Sequence, residues 1–387
     1  MPIDANLTCN LLRQLVALDS VNPSLVPGAR GEALAAQFLQ GFLREHGIAA
    51  ELQFAAPGRP NVVAKIGGAI ATASARPALL IVAHIDTVGA GDMPDPFTPI
   101  EREGRLYGRG ALDIKSGVAA MCAAAISIVQ SGAALQRPFT IAAVVDEECN
   151  SIGTETLLKQ CTAEAAIVLE PTDLKLVIAH KGYAWFEIVT HGRAAHGSLP
   201  GEGRDAIRMM GRMLEKLDAM DRAIQSKPPH PLLGAASLHA SLIEGGQELS
   251  SYPSECRLQI ERRTLPGESA AAIESDLRAL LDDLHARDAE FRSTLLAMSS
   301  RPAYSIEPEA PIARAAAAAI LHVTSSAELA GMSAWTDTAL LAAAGIPGVV
   351  FGPRGRGLHG AEEYVELDSV TTCAEVLRNL IQSFCGS

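Results

Sequence analysis

The chain has 387 residues, 48% of them hydrophobic and 20% charged, and a formal net charge of −12. That acidity excludes partners recruited by positive charge, so neither nucleic acid nor an anionic membrane is expected and a small molecule is. Length alone predicts two domains, each with its own core. Seven cysteines are scattered without a CxxC pair, which argues against a disulfide framework or a thiolate zinc site and predicts a reducing, cytoplasmic setting. The opening MPIDANLTCNLLRQL is acidic and polar where a signal peptide is basic and then apolar, and no uncharged apolar run reaches the length of a membrane span.

In chain order, residues 4–18 set Leu11, Leu15 and Leu18 on one helical face, and 31–46 do so with Leu34, Phe38 and Phe42 before Gly47 ends the helix. Residues 60–66 and 78–83 read as strands. The second is a continuous apolar run that delivers His84 and Asp86 to a Gly-rich exit, on one face by period-2 alternation. Asp113 follows in a loop before an alanine-rich helix at 117–129. Residues 139–148 form a buried strand ending in Glu147 and Glu148, and 165–171 form another ending in Glu170. A short strand at 345–353 leads to His359, and 367–384 form the last helix.

Strands alternating with helices predict an α/β fold: a mixed, mostly parallel sheet sandwiched by helices, with ligands bound beyond the carboxyl ends of the strands. Between the halves the order becomes β-α-β-β-α-β over 182–300, an α+β domain inserted into the first, which takes 1–181 and 301–387.

Collected at the strand ends, His84, Asp113, Glu147, Glu148, Glu170 and His359 would repel one another unless a cation is bound or a carboxylate holds a proton. Histidine with carboxylates and no cysteine suits a catalytic rather than a structural zinc site. Two metals at about 3.5–4 Å need one bridging carboxylate. Adjacent Glu147 and Glu148 should point to different sides of a strand end and divide two roles, although spacing does not say which takes which.

The motifs AHIDTV, GRGALDIKSG, DEE, LEPT, AHKG, GRAAHGSLP, ERRTLPGE and FGPRGRGLH, in this order across nearly the whole chain, resemble the zinc-dependent metallopeptidase family of acetylornithine deacetylase, succinyl-diaminopimelate desuccinylase, aminoacylase and glutamate carboxypeptidase. The resemblance implies two Zn²⁺, with Co²⁺ or Mn²⁺ as substitutes. His84 and Glu170 would bind one, Glu148 and His359 the other, and Asp113 would bridge them. It further implies Asp86 as the group orienting His84, and Glu147 as the general base that takes a proton from metal-bound water and passes it to the leaving amine. His196 resembles the oxyanion-stabilising histidine that reaches the other subunit's active site in the family's dimers. Arg263, on the polar face of its strand, resembles the clamp for a substrate carboxylate. Aligned on Pro253, Ser250 stands where the family often has a substrate-binding asparagine, which leaves the substrate's identity open. His180 and Lys181 read as structural residues at the hinge into the insertion.

The implied function is hydrolysis of the amide of an N-acyl amino acid or a short peptide with a free carboxylate, by a homodimer joined through an inserted lid. The alternatives are a zinc aminopeptidase or dipeptidase, which shares the metal core, and a metal-free binding protein on the same scaffold, which would be expected to have lost ligands.

Overall fold

The structure, a computed structural model, describes residues 1–67 and 76–386. The chain divides into two compact units. The first comprises Met1–Ile178, Ile306–Ala330 and Thr336–Ser387, and the second Ala179–Ser305 with Gly331–Trp335.

The first unit is built on a mixed sheet. Its middle strands, in the spatial order Phe139–Val144, Leu79–His84, Ala165–Leu169 and Gly348–Phe351, are parallel. Every residue of these four strands is buried, the signature of a sheet covered on both faces. Antiparallel strands flank them: Arg59–Ile66 and Glu51–Ala56 on one side, Leu176–His180 on the other. A separate small sheet pairs Ile100–Arg102, Arg105–Tyr107, Tyr364–Glu366 and Gly355–Arg356.

Helix Ser116–Gln130 is apolar all round and almost wholly buried, packed against the sheet and against helices Ala5–Val16 and Leu367–Cys385. The stretch Ala111–Gln130 is long and apolar enough to cross a membrane, but 89% of its apolar window lies inside the protein, as befits a core helix.

Helix Ala33–Glu45 departs from its predicted face. Ala35, Ala36, Leu39 and Leu43 are buried, whereas Leu34 is half exposed. Phe38 and Phe42 stack on each other at its margin, 6.2 Å between ring centroids. Two alanines let the helix lie closer to its neighbours than a row of large side chains allows.

The second unit has strands Gly182–His191, Ser237–Gly245, Glu255–Thr264 and Ser293–Arg301, all antiparallel. Helices Ala206–Gln225 and Ala270–Arg287 pack on one face, around Phe186, Ile188, Met213, Leu258, Ile260 and Leu277. Both helices start where a short polar side chain accepts from the first turn, Asp205 from the Arg208 amide and Ser269 from the Ala272 amide. The chain returns to this unit at Gly331–Trp335, where the amide of Lys181 donates to the Met332 carbonyl.

Candidate metal centre

One of the central parallel strands ends in a polar residue and two more lead into polar residues just past their ends. His84 closes Leu79–His84 and is buried. Its Nδ1 lies 3.0 Å from the main-chain carbonyl of Asp86. A carbonyl only accepts, so Nδ1 carries a proton, which leaves Nε2 as the nitrogen that can face a cation when one is bound. The carboxylate of Asp86 is farther, 3.5 Å from Nδ1, so the orienting group is chiefly the residue's backbone.

That carboxylate has other partners. It accepts from the Asn22 side chain (2.8 Å) and from the amides of Glu147 and Glu148 (3.2 Å each). Glu147 and Glu148 therefore lie in a turn pinned by Asp86, past the strand end at Val144, and their divergence comes from this turn rather than from strand alternation. The turn opens at Asp146, left-handed at φ 69°, a conformation that needs outside support in a residue with a side chain. Arg59 supplies it, pairing with Asp146 at 2.9 Å and with buried Glu32, while also donating to Ser24 and Asn22.

Asp113 sits between the two imidazoles. One oxygen is 3.2 Å from Nε2 of His84 and the other 3.4 Å from Nε2 of His359. Glu148 approaches His359 at 3.2 Å, and Glu147 and Glu170 each stand 4.0 Å from His84. Two groups of donors result, His84 with Asp113 and Glu148, and His84 with Glu147 and Glu170, the ligand atoms within each group lying within 4.8 Å of one another. They form a candidate metal site. Gly110, in the loop before Asp113, has φ +78°, and an added Cβ would lie 2.6 Å from Thr87. Gly357, before His359, has φ +91°, and an added Cβ would strike the Glu362 carbonyl.

Without cations such a cluster can exist only by holding protons. Burial together with the charge of Glu170 pushes Glu147 well above the usual carboxylate range, and burial does the same for Glu170. Burial opposes the charged form of His84, but its contacts with Asp113 and Asp86 outweigh that and raise its pKa. Asp113 and Glu148 raise His359 to about 10. Burial likewise favours the neutral form of Asp113, yet the two imidazoles hold it well below its ordinary value. A bound cation would take over from these protons the task of offsetting the carboxylate charge. Oε1 of Glu148 is buried with no hydrogen-bond partner among the described residues, as suits an atom facing an ion. The set of imidazole nitrogens and carboxylate oxygens without thiolate fits zinc, manganese or cobalt.

Two neighbours were not singled out from the sequence. Asp337 is buried, hydrogen-bonded to Thr154, and raised by burial to about 6. Glu363 binds the loop that bears Asp113. A carboxylate within the motif EEYV, four residues past His359, was the available hint for Glu363.

His196, Ser250 and Arg263 belong to the second unit. His196 is exposed and bonded to the Ser198 hydroxyl at 2.7 Å. Its loop pairs with that of Ser250: the Gly197 amide donates to the Ser250 carbonyl at 2.7 Å, and that of Tyr252 to Ala195 at 2.9 Å. Arg263 lies at the other end of Glu255–Thr264, 3.1 Å from Glu261 and over the ring of Tyr183 at 5.8 Å. Arg262, on the opposite face, is buried against Glu268. His180 is buried among Tyr304 and Trp335, and burial pushes it down to about 4, so it is neutral at pH 7. Lys181 donates to the Ala235 carbonyl.

The chain is 28% identical to an acetylornithine deacetylase of Myxococcus xanthus over 393 residues, covering 97% of each. Its fold matches that of a tripeptidase from Staphylococcus aureus with a TM-score of 0.83 at 20% identity, covering 100% of both chains. It also matches a Bacillus subtilis protein described as a dinuclear metal binding peptidase from the M20 family, with a TM-score of 0.75 at 16% identity and 98% of both chains covered. Residues 80–383 match the model of peptidase family M20/M25/M40. The chain belongs to that family, and is a hydrolytic enzyme acting on amide or peptide bonds.

Proposed function

We propose that this hydrolase holds two divalent cations and cleaves the amide of an N-acyl amino acid, or of a short peptide with a free carboxylate. The observation that carries the reading is Asp113, which presents one oxygen toward His84 and the other toward His359. His84 and Glu170 would hold one cation, His359 and Glu148 the other, with Asp113 shared. Bound there, zinc, cobalt or manganese would polarise the scissile carbonyl and lower the pKa of water.

The chain supplies the rest. Glu147 is largely buried beside His84, and its raised proton affinity suits it to accept a proton and return it to the leaving amine. Asp86 keeps the backbone of Glu147 and Glu148 fixed throughout. Arg263 takes the substrate carboxylate in a bidentate pair, exchanging its contact with Glu261 for the stronger one. Ser250 offers a shorter hydroxyl where the family often has an amide, so the acyl group and amino acid preferred stay open to the substrate panel below.

His196 hydrogen-bonds the developing oxyanion in the partner subunit's site. Its loop and Arg263 lie at opposite ends of a ten-residue strand, roughly 30 Å apart at about 3.3 Å per residue. One small substrate cannot touch both from the same chain, and this supports a homodimer joined through the second unit as a lid. The seven free cysteines support a reducing, cytoplasmic setting.

Protein purified with zinc, cobalt or manganese and assayed on N-acetyl, N-succinyl and N-formyl amino acids and on short peptides tests this. About two cations per chain and hydrolysis of at least one class are expected; a chain that retains no metal overturns the reading. Mixing His196→Ala subunits with Glu147→Ala subunits should restore part of the activity, and verified mixed dimers that stay inactive would remove the role across subunits.

A further inference from the structure

The segments that carry Asp113 and His359 are far apart in sequence and meet through a strand pair. Tyr107 pairs with Tyr364, Leu106 with Val365, and Arg105 with Glu366. Beyond Tyr107 and Tyr364 the two chains part, one into the loop of Asp113 and the other into the loop of His359. Glu363 sits at the fork, its side chain wholly buried.

Both of its oxygens are fully engaged. Oε2 accepts from Nη1 of Arg109 at 2.6 Å and from the Gly110 amide at 3.1 Å. Oε1 accepts from the amides of Leu112 at 2.8 Å and Asp113 at 3.1 Å. Arg109, itself 2% exposed, reaches back across the fork and donates from Nη2 to the Gly360 carbonyl at 2.9 Å. The main chain adds a further tie, from the Gly108 amide to the Glu363 carbonyl at 3.1 Å. With two donors on each oxygen, Glu363 has no oxygen free to face a cation, so its place beside the cluster is not that of a ligand.

We propose that Glu363, with Arg109, is a positioning pair that holds the Asp113 loop and the His359 loop at the separation two cations require. The inference rests on the dinuclear reading of the site. It assigns to a residue outside the donor set the task of fixing the amide of Asp113 relative to the segment bearing His359. The isosteric change Glu363→Gln tests it sharply, because an amide nitrogen must then face either Arg109 and the Gly110 amide or the amides of Leu112 and Asp113. In both orientations donor meets donor, although size and shape are kept.

The experiment titrates apo-protein with Co²⁺ and Zn²⁺ against a chelating dye and records the visible absorption of the Co²⁺ form, alongside the urea midpoint. Glu363→Gln is expected to bind about 10- to 100-fold more weakly, the range for groups that orient metal ligands, and to show an altered Co²⁺ spectrum. Leu377→Ala, a buried truncation in the last helix, serves as a control for lost stability and should bind as wild type does. If Glu363→Gln does not fold, Arg109→Lys decides by the same readouts, since it keeps the charge but loses the fork that spans Glu363 and Gly360. Wild-type affinity and spectrum in the folded variant overturn the proposal, and so does an equal loss in Leu377→Ala. A wild-type chain that takes up neither metal overturns the dinuclear reading itself.

Discussion

Glu147→Gln should retain its cations and lose roughly 10²- to 10⁴-fold in kcat, the usual contribution of a positioned acid–base group. The substitution leaves the backbone alone: the amide of residue 147 still donates to Asp86, so the turn that also carries Glu148 keeps its shape. What is lost is a group able to take and return a proton beside His84. Metal content decides between the two roles that the geometry leaves open, because Glu147 falls in one donor group with His84 and Glu170. A variant with full metal and kcat within tenfold of wild type refutes the base. One that loses a cation shows Glu147 to be a ligand instead.

Asp113→Ala should be more severe, removing a carboxylate whose two oxygens lie 3.2 and 3.4 Å from the two histidines. Cation content is expected to fall well below two per chain and kcat/KM by more than about 10³-fold, beyond the 10- to 100-fold typical of an outer group. Asp113→Asn keeps one carbonyl oxygen and should retain a single cation with most of the activity gone. Elemental analysis of the purified variants measures both. Two tightly held cations in Asp113→Ala would mean that the remaining residues suffice and that the aspartate is not shared.

Much of this centre was legible because a fully buried parallel strand has no reason to end in a charge unless the charge is used. His84 and Glu170 are found that way, and Glu147 and Glu148 follow from their place after Val144. The physical basis for separating the two glutamates was not legible. It lies in a left-handed Asp146 and an Asp86 carboxylate that collects two amides, and hydrogen bonds of this kind leave no periodic trace. Glu363 was missed for a related reason: an acid next to Tyr364 in a short strand looks like a solvated edge until the fold closes over it. The helix Ala33–Glu45 shows the opposite error, where large apolar residues suggested the core face and two alanines occupied it. The return of Gly331–Trp335 to the second unit is also invisible locally, since it depends on contacts made far along the chain.

Helix Ser116–Gln130 begins three residues after Asp113, and Ala119, Ala120, Ala123, Ala124 and Ala125 within it are all at most 4% exposed. Methyl groups therefore set how closely its neighbours approach. An added methylene in so tight a layer must move the helix or the elements packed on it, and any such shift is passed to the oxygens shared by His84 and His359. The volume of a few alanines is thus tied, through the short segment that joins Asp113 to this helix, to the placement of Asp113 in the candidate metal site.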